Sequence, residues 1–275
     1  MNIRKLLAGL IRYLFLFYMV IIIILPLWMM FSTSLRETTT LVEYPPKLWI
    51  EKPTLSNYIH LFTDLPYIIW MKNSFLYSLF SAAGVLIVSL MAGYAFARKE
   101  FKGKNILFSL VLLTLMIPQM VLMIPNFIVI QKLGLVNSLP GLFLYEMSRG
   151  FGIFLARQFI STLPSSLEEA AYIDGATDFQ TFRMVIVPLC KPMIGLLGIY
   201  TVFTTWNNFV WPLIIINQKE LWPITLGIAN MRTEYLVNWG LVMAAVFLSF
   251  LPLLIAFLTA KEQFIAGITS GAVKG

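Results

Sequence analysis

Apolar residues in this chain gather into runs of about twenty, enough for one helix to cross a ~30 Å hydrocarbon layer. Shorter polar stretches separate the runs. They extend from about Tyr13 to Phe31, Ser74 to Phe96, Ile106 to Ile130, Leu142 to Ile160, Met193 to Ile216 and Trp239 to Leu258. The pattern predicts an all-α membrane protein with about six transmembrane helices, forming one domain over residues 1–275.

Arg4, Lys5 and Arg12 precede the first run. A basic start before an apolar stretch also marks a signal peptide, but this run is too long and no small-residue cleavage site follows it. The reading is a retained span with its N-terminus inside, kinked at Pro26. Residues 34–70 turn polar and contain Pro45, Pro46, Pro53 and Pro66. They predict an extracytoplasmic loop with a short helix around Leu55 to Phe62, where His60 is a surface or packing residue.

The second run is punctuated by Ser78, Ser81, Ala82, Ala83, Gly84, Ser89, Ala92 and Gly93. Small side chains let helix backbones approach closely where lipid supplies no hydrophobic drive. The third run carries Pro118 and Pro125, which either kink a packed helix or shape the wall of a path. The fourth contains Glu146 and Arg149, three residues apart and so on one helix face. Ionisable groups at membrane depth face a protein interior or an aqueous cavity. They predict either a structural ion pair or a contact with a polar solute. The fifth run holds Thr201, Thr204, Thr205, Trp206, Asn207, Asn208 and Pro212, which suit an interior path or hydrogen bonding between helices.

Between the fourth and fifth runs lies a polar insert, residues 161–192, with Glu168, Glu169, Asp174, Asp178 and Arg183. Ser165 or Ser166 is the expected helix cap, with both glutamates in the first turn where the helix dipole favours acids. Gly175 is the expected C-terminal stop, and Pro188 and Pro192 close the segment. The insert is predicted to be a helix-turn-helix outside the bilayer. Basic residues orient the whole. Arg4, Lys5, Arg12, Arg98, Lys99, Lys102, Lys104, Arg157, Arg183, Lys191, Lys261 and Lys274 fall on one side, and Lys72, Lys132, Lys219 and Arg232 in the short loops of the other. The positive-inside rule then puts both termini, the insert and the tail at 261–275 in the cytoplasm.

Composition narrows the function. Of 275 residues, 59% are hydrophobic and 12% charged, about half the charge of a soluble domain. The net charge of +7 sits at the ends of apolar runs rather than along a stripe, which argues for membrane lipid and against nucleic acid. One cysteine, Cys190, and one histidine, His60, leave no basis for a disulfide framework, a metal site or a Ser-His-Asp triad. No P-loop pattern is present, nor a series of intramembrane carboxylates suited to proton coupling. No catalysis is expected of this chain, and energy for transport must enter from outside it.

At the insert the pattern becomes specific. Glu169-Ala170-Ala171, three residues, Gly175, nine residues, then Val185-Ile186-Val187-Pro188 resembles the EAA signature of bacterial ATP-binding-cassette importer permeases, E-A-A-x3-G-x9-I-x-L-P. Val185 and Val187 stand where that signature has Ile and Leu. The likeness extends over most of the chain, through Tyr94-Ala95-Phe96-Ala97-Arg98, Leu133-Gly134-Leu135, Arg157-Gln158-Phe159, Trp206-Asn207-Asn208-Phe209-Val210-Trp211-Pro212 and the closing Gly267 to Gly275. It is similar to the MalG-like branch of carbohydrate permeases.

The resemblance implies a permease subunit that pairs with a sister permease. Two ATPase subunits bind below and hold the ATP and Mg, so this chain needs no cofactor of its own. An extracytoplasmic solute-binding protein delivers a carbohydrate from above. It implies ATPase coupling through Glu168, Glu169, Ala170, Ala171, Asp174, Gly175 and Pro188, and a tail with Gly271, Val273 and Lys274 at the ATPase interface. Glu146, Arg149, Trp206, Asn207, Asn208 and Pro212 are the candidate translocation path. Asn208 replaces the acid expected in W-N-D, and Glu146 with Arg149 occupy positions where relatives have small or apolar residues. An importer of an amino acid, peptide or organophosphate is the other reading.

Overall fold

The computed structural model describes residues 3–37, 48–231 and 237–272. Every regular element among them is helical. They fall into two compact units, Met1–Ile68 with Ile228–Pro252, and Ile69–Gly227 with Leu253–Gly275.

In the first unit, α1 (Ile3–Ser34) continues through Pro26, and its side chains from Leu10 to Trp28 are largely exposed, as for a helix surrounded by lipid. Its C-terminal carbonyls are met by α2 (Ser56–Thr63), within the loop where a short helix was expected. Asn57, fully buried, donates through Nδ2 to the carbonyls of Ser34 at 2.9 Å and Arg36 at 2.6 Å. This satisfies acceptors that a helix end leaves open. α14 (Trp239–Ala272) begins against the same amide. A Cβ on Gly240 would come within 2.5 Å of Asn57 Nδ2, so only glycine fits. The hydroxyl of Tyr67 donates to the Ala245 carbonyl at 2.8 Å.

The second unit is organised around α3 (Tyr67–Arg98), one helix longer at both ends than the predicted span. Its small residues do what their pattern implied. Gly84 faces Met147, whose Sδ lies 2.5 Å from where a Cβ would stand, and Gly93 faces Ala156 just as closely. Ser89 lies against Gly152. α6 (Leu139–Met147) and α7 (Gly150–Ser161) thereby approach α3 nearly backbone to backbone.

Three predicted spans are not single helices. The third divides into α4 (Lys104–Met116) and α5 (Gln119–Lys132), bent by 115°. Ile117 is extended because the following Pro118 disfavours the α region there. The fourth breaks at Ser148–Arg149, where Arg149 has an extended backbone (ψ 124°). The fifth is α11 (Lys191–Trp206) and α12 (Val210–Ile215), separated at Asn207–Phe209. After it come a 3-10 turn (Lys219–Leu221) and α13 (Ile224–Asn230). Among the described residues three helices are long and apolar enough to cross a membrane, or up to five if two bent pairs, Lys104–Met116 with Gln119–Lys132 and Asp178–Leu189 with Lys191–Trp206, each count as one span. α14 continues as helix to Ala272 through most of the polar tail. Val273 and Lys274 lie outside the described residues.

The insert folds as α8 (Ser166–Ile173), α9 (Asp178–Thr181), a π-helical turn (Phe182–Ile186) and α10 (Val187–Leu189). Gly175 has φ +82°, the left-handed conformation glycine adopts without steric cost. Gly175 N donates to Tyr172 O and Ala176 N to Ala171 O, the double closure of a Schellman stop. The start differs from expectation. Neither serine hydroxyl caps α8, and the Ser165 carbonyl alone accepts from Glu168 and Glu169 N. The side-chain cap is at the start of the next helix, where Thr177 and Gln180 form a reciprocal capping box on α9. Pro188 and Pro192 do not end the segment but stand in the first turns of α10 and α11, where a missing N–H costs nothing.

Candidate functional site

Two polar clusters stand out in the second unit, one joining the insert to α3 and one at the helix breaks. In the first, the start of α8 turns Glu168 inward, leaving it 6% exposed. Arg98, in the last turn of α3, places Nε 2.5 Å from Glu168 Oε1 and donates through Nη2 to the Leu163 carbonyl at 2.5 Å. Tyr94 lies one helical turn earlier on the same face. Its hydroxyl approaches Glu168 Oε2 at 3.4 Å and its ring packs 5.3 Å from Phe182.

Lys99 extends the cluster to α9. Its Nζ donates to Asp178 Oδ1 at 2.7 Å and to the Tyr172 hydroxyl at 3.1 Å, and that hydroxyl donates to Asp178 at 2.9 Å. Partial burial would lower the Lys99 pKa, but the bonds to Asp178 and Tyr172 outweigh it and hold it above the ordinary lysine value. The same Lys99 bond, then that from Tyr172, holds the Asp178 carboxyl below its ordinary range. The Lys99–Asp178 pair is exposed, and solvent screening leaves it a weak constraint. Buried Arg98–Glu168 is the stronger constraint, because removing either partner strands a charge.

The expected coupling residues thus divide. Glu168 points into the fold. Glu169, Ala170, Asp174, Gly175 and Pro188 are exposed, and Ala171 is half-buried. Ile173 at 86%, Phe179 at 65% and Met184 at 71% are the large apolar side chains the insert exposes most fully. Sequence reasoning counted Arg98 and Lys99 as orienting charges, named Tyr94 and Arg98 otherwise only within the family likeness, and did not single out Tyr172. The four-residue spacing of Tyr94 and Arg98 was the available signal.

The second cluster centres on Glu146, 2% exposed. Its Oε2 accepts from Arg149 Nη1 at 2.8 Å, and Oε1 from the Tyr77 hydroxyl at 2.9 Å and Asn208 Nδ2 at 3.2 Å. Asn208 in turn accepts from Trp211 N through Oδ1 and from Thr225 through its carbonyl. One carboxylate therefore ties α3, α6, the start of α7 and the α11–α12 break. The candidate path residues do not act alike. Trp206 and Pro212 are buried, and Trp211, next to Pro212, stacks on Tyr145 at 4.2 Å. Asn207 is exposed and bonds back to the Phe203 carbonyl at 2.8 Å. Arg149 borders a narrow cleft, with only about 20 Å³ of room for water, lined also by Phe151, Tyr200, Thr201 and Thr204. Tyr77, Phe151 and Tyr200 were not singled out from the sequence. Among the described residues no group of three or more His, Cys, Asp or Glu is placed to hold a metal.

Residues 84–264 match the family described as binding-protein-dependent transport system inner membrane component. The chain is 34% identical to an arabinooligosaccharides transport system permease protein, AraQ, of Halalkalibacterium halodurans, over 94% of each chain. It is 32% identical to the sn-glycerol-3-phosphate transport system permease protein UgpE of Salmonella typhi, over 90% of this chain and 91% of that one. Its fold matches a chain in the crystal structure of a bacterial ABC transporter involved in the import of the acidic polysaccharide alginate. The TM-score is 0.84 at 21% identity, covering 96% of this chain and 99% of the other. The chain therefore belongs to the binding-protein-dependent transport system inner membrane components and has the all-helical fold of an ABC importer permease.

Proposed function

We propose that this chain is the permease subunit of an ATP-driven carbohydrate importer, and that the insert is the element through which ATPase motion enters it. One observation carries the coupling part. The insert exposes Ile173, Phe179 and Met184 outward, while Glu168 and Asp178 bind it to α3. Exposed apolar side chains on a braced support suit a lasting protein contact better than a solvated loop does. The proposed topology has six spans, the broken α6–α7 pair counting as one, with both termini and residues 161–192 in the cytoplasm. The partners are a sister permease, two ATPase subunits that hold ATP and Mg, and an extracytoplasmic solute-binding protein. Gly271, Val273 and Lys274 belong to a tail that meets the ATPases.

Carbohydrate is the proposed cargo class because the arabinooligosaccharide permeases are similar along nearly the whole chain. A phosphorylated solute is the second reading, supported by the glycerol-3-phosphate permeases and by Arg149 at the cleft. In the proposed path Arg149 and Asn207 border the open side, whereas Glu146, Asn208, Trp206 and Pro212 hold the wall together. ATP-driven rocking of the spans would move solute by changing the relative stability of two states, not through affinity alone. The test is to co-express the chain with its partners, reconstitute the complex in liposomes, and measure ATP-dependent uptake of arabinooligosaccharide against glycerol phosphate. ATP-dependent sugar uptake supports the proposal. Uptake without any bound ATPase would overturn it.

A further inference from the structure

The insert is joined to the chain at both ends, to α7 and to α11, and chain continuity alone would deliver its motion to those helices. The side chains indicate another route. α3 is distant in sequence from α8 and α9, yet its C-terminal end and the residue that follows it grip the insert at three places. Arg98 holds both Glu168 and the Leu163 carbonyl that precedes α8. Lys99 holds Asp178 and Tyr172. Tyr94 packs on Phe182 in the π turn. The Arg98–Glu168 pair is well shielded, its side chains 17% and 8% exposed, so its two ends cannot separate without stranding a buried charge. At its far side α3 meets α6 and α7 through Gly84, Ser89 and Gly93 with no slack for sliding.

We propose that Arg98, supported by Lys99, is a positioning residue that makes α8, α9 and the last turn of α3 one rigid body, so that displacement of the insert is delivered to α3. This rests on the coupling role proposed above for the insert. It goes beyond that role by naming the helix that receives the motion and the residues that transmit it.

The test uses the assembled importer, co-expressed with its partner subunits and reconstituted in liposomes. In Arg98→Gln, uptake per ATP hydrolysed should fall about fivefold or more, the lower end of a typical coupling effect. Both quantities are normalised to the ATPase recovered with the chain, so a loss of folded complex does not register. A second variant replaces both ends of the ion pair, Arg98→Cys with Glu168→Cys in a Cys190→Ser background. It should show the same loss, and a short bifunctional thiol reagent joining the two cysteines should restore uptake per ATP. The proposal is overturned if Arg98→Gln keeps the parental ratio, or if the cross-link arrests transport, since the two ends would then move apart during the cycle. Failure of the underlying coupling role reads differently, as ATPase that stays bound and uptake that stays normal in Gly175→Pro.

Discussion

Asn208 donates its side-chain amide to Glu146 at 3.2 Å across 62 positions of sequence. An aspartate at 208 would set a second carboxylate against buried Glu146, whereas the amide supplies a donor. Asn208→Asp should therefore destabilise the protein by roughly 2–4 kcal/mol, seen as a lower melting temperature in detergent. Asn208→Asp with Glu146→Gln should recover most of that loss. A single variant that melts like the parent would remove the argument.

Of the three side chains that donate to Glu146 (Tyr77, Arg149 and Asn208), Arg149 is the one that carries a full positive charge. Arg149→Ala should cost on the order of 3 kcal/mol, because a buried carboxylate loses its counter-charge. Adding Glu146→Gln should restore the melting temperature. In that double variant we expect an unchanged ratio of neutral-sugar to phosphorylated-solute uptake. A selective loss of phosphorylated solute would favour the second reading of the cargo.

Nothing lies within 4 Å of a Cβ built on Gly175, so space does not demand glycine there, but φ +82° does. Gly175→Ala should cost about 1–2 kcal/mol of local stability from the left-handed backbone alone. Gly175→Pro forbids that φ and removes the N–H that donates to Tyr172 O. We expect Gly175→Pro, and Glu169→Lys on the exposed face of α8, to lose ATPase co-purification while membrane insertion stays normal. Retained co-purification and uptake in both would exclude the coupling role.

At the crossing of α3 and α7 the constraint is steric. A Cβ at Gly93 would stand 2.5 Å from the Ala156 Cβ and 2.9 Å from the Arg157 backbone nitrogen. Gly93→Val should cost about 1–3 kcal/mol or more by overpacking and lower the yield of monodisperse protein in detergent. Gly103→Ala, at a glycine with open space around it, is the control that separates backbone strain from crowding.

The sequence carried the helical class, the small-residue stripe and the Gly175 stop because each has a strong local cause. The breaks were less legible. Apolar residues dominate on both sides of Ile117–Pro118, Ser148–Arg149 and Asn207–Phe209, so a pattern of apolar runs joins what the backbone separates. Glu146 and Arg149 were found as a spacing of three, but their partners were not. Tyr77 and Asn208 are brought to the carboxylate only by the packing of α3 and the α11–α12 break. The brace on the insert was hidden for a similar reason. Arg98 and Lys99 lie among loop charges whose first explanation is membrane orientation, and nothing local shows that they reach Glu168 and Asp178.

The stop at Gly175 has a consequence for whatever covers this corner. The carbonyls of Ala170, Ala171 and Tyr172, which a bare helix end leaves to water, already accept from Asp174, Ala176 and Gly175. Dehydrating an unpaired backbone group costs about 1–3 kcal/mol, and here those three are paired before any partner arrives. A surface closing over the end of α8 thus gains from covering Ile173 and loses little of that gain to stranded main-chain dipoles. The main chain of this corner is satisfied in advance.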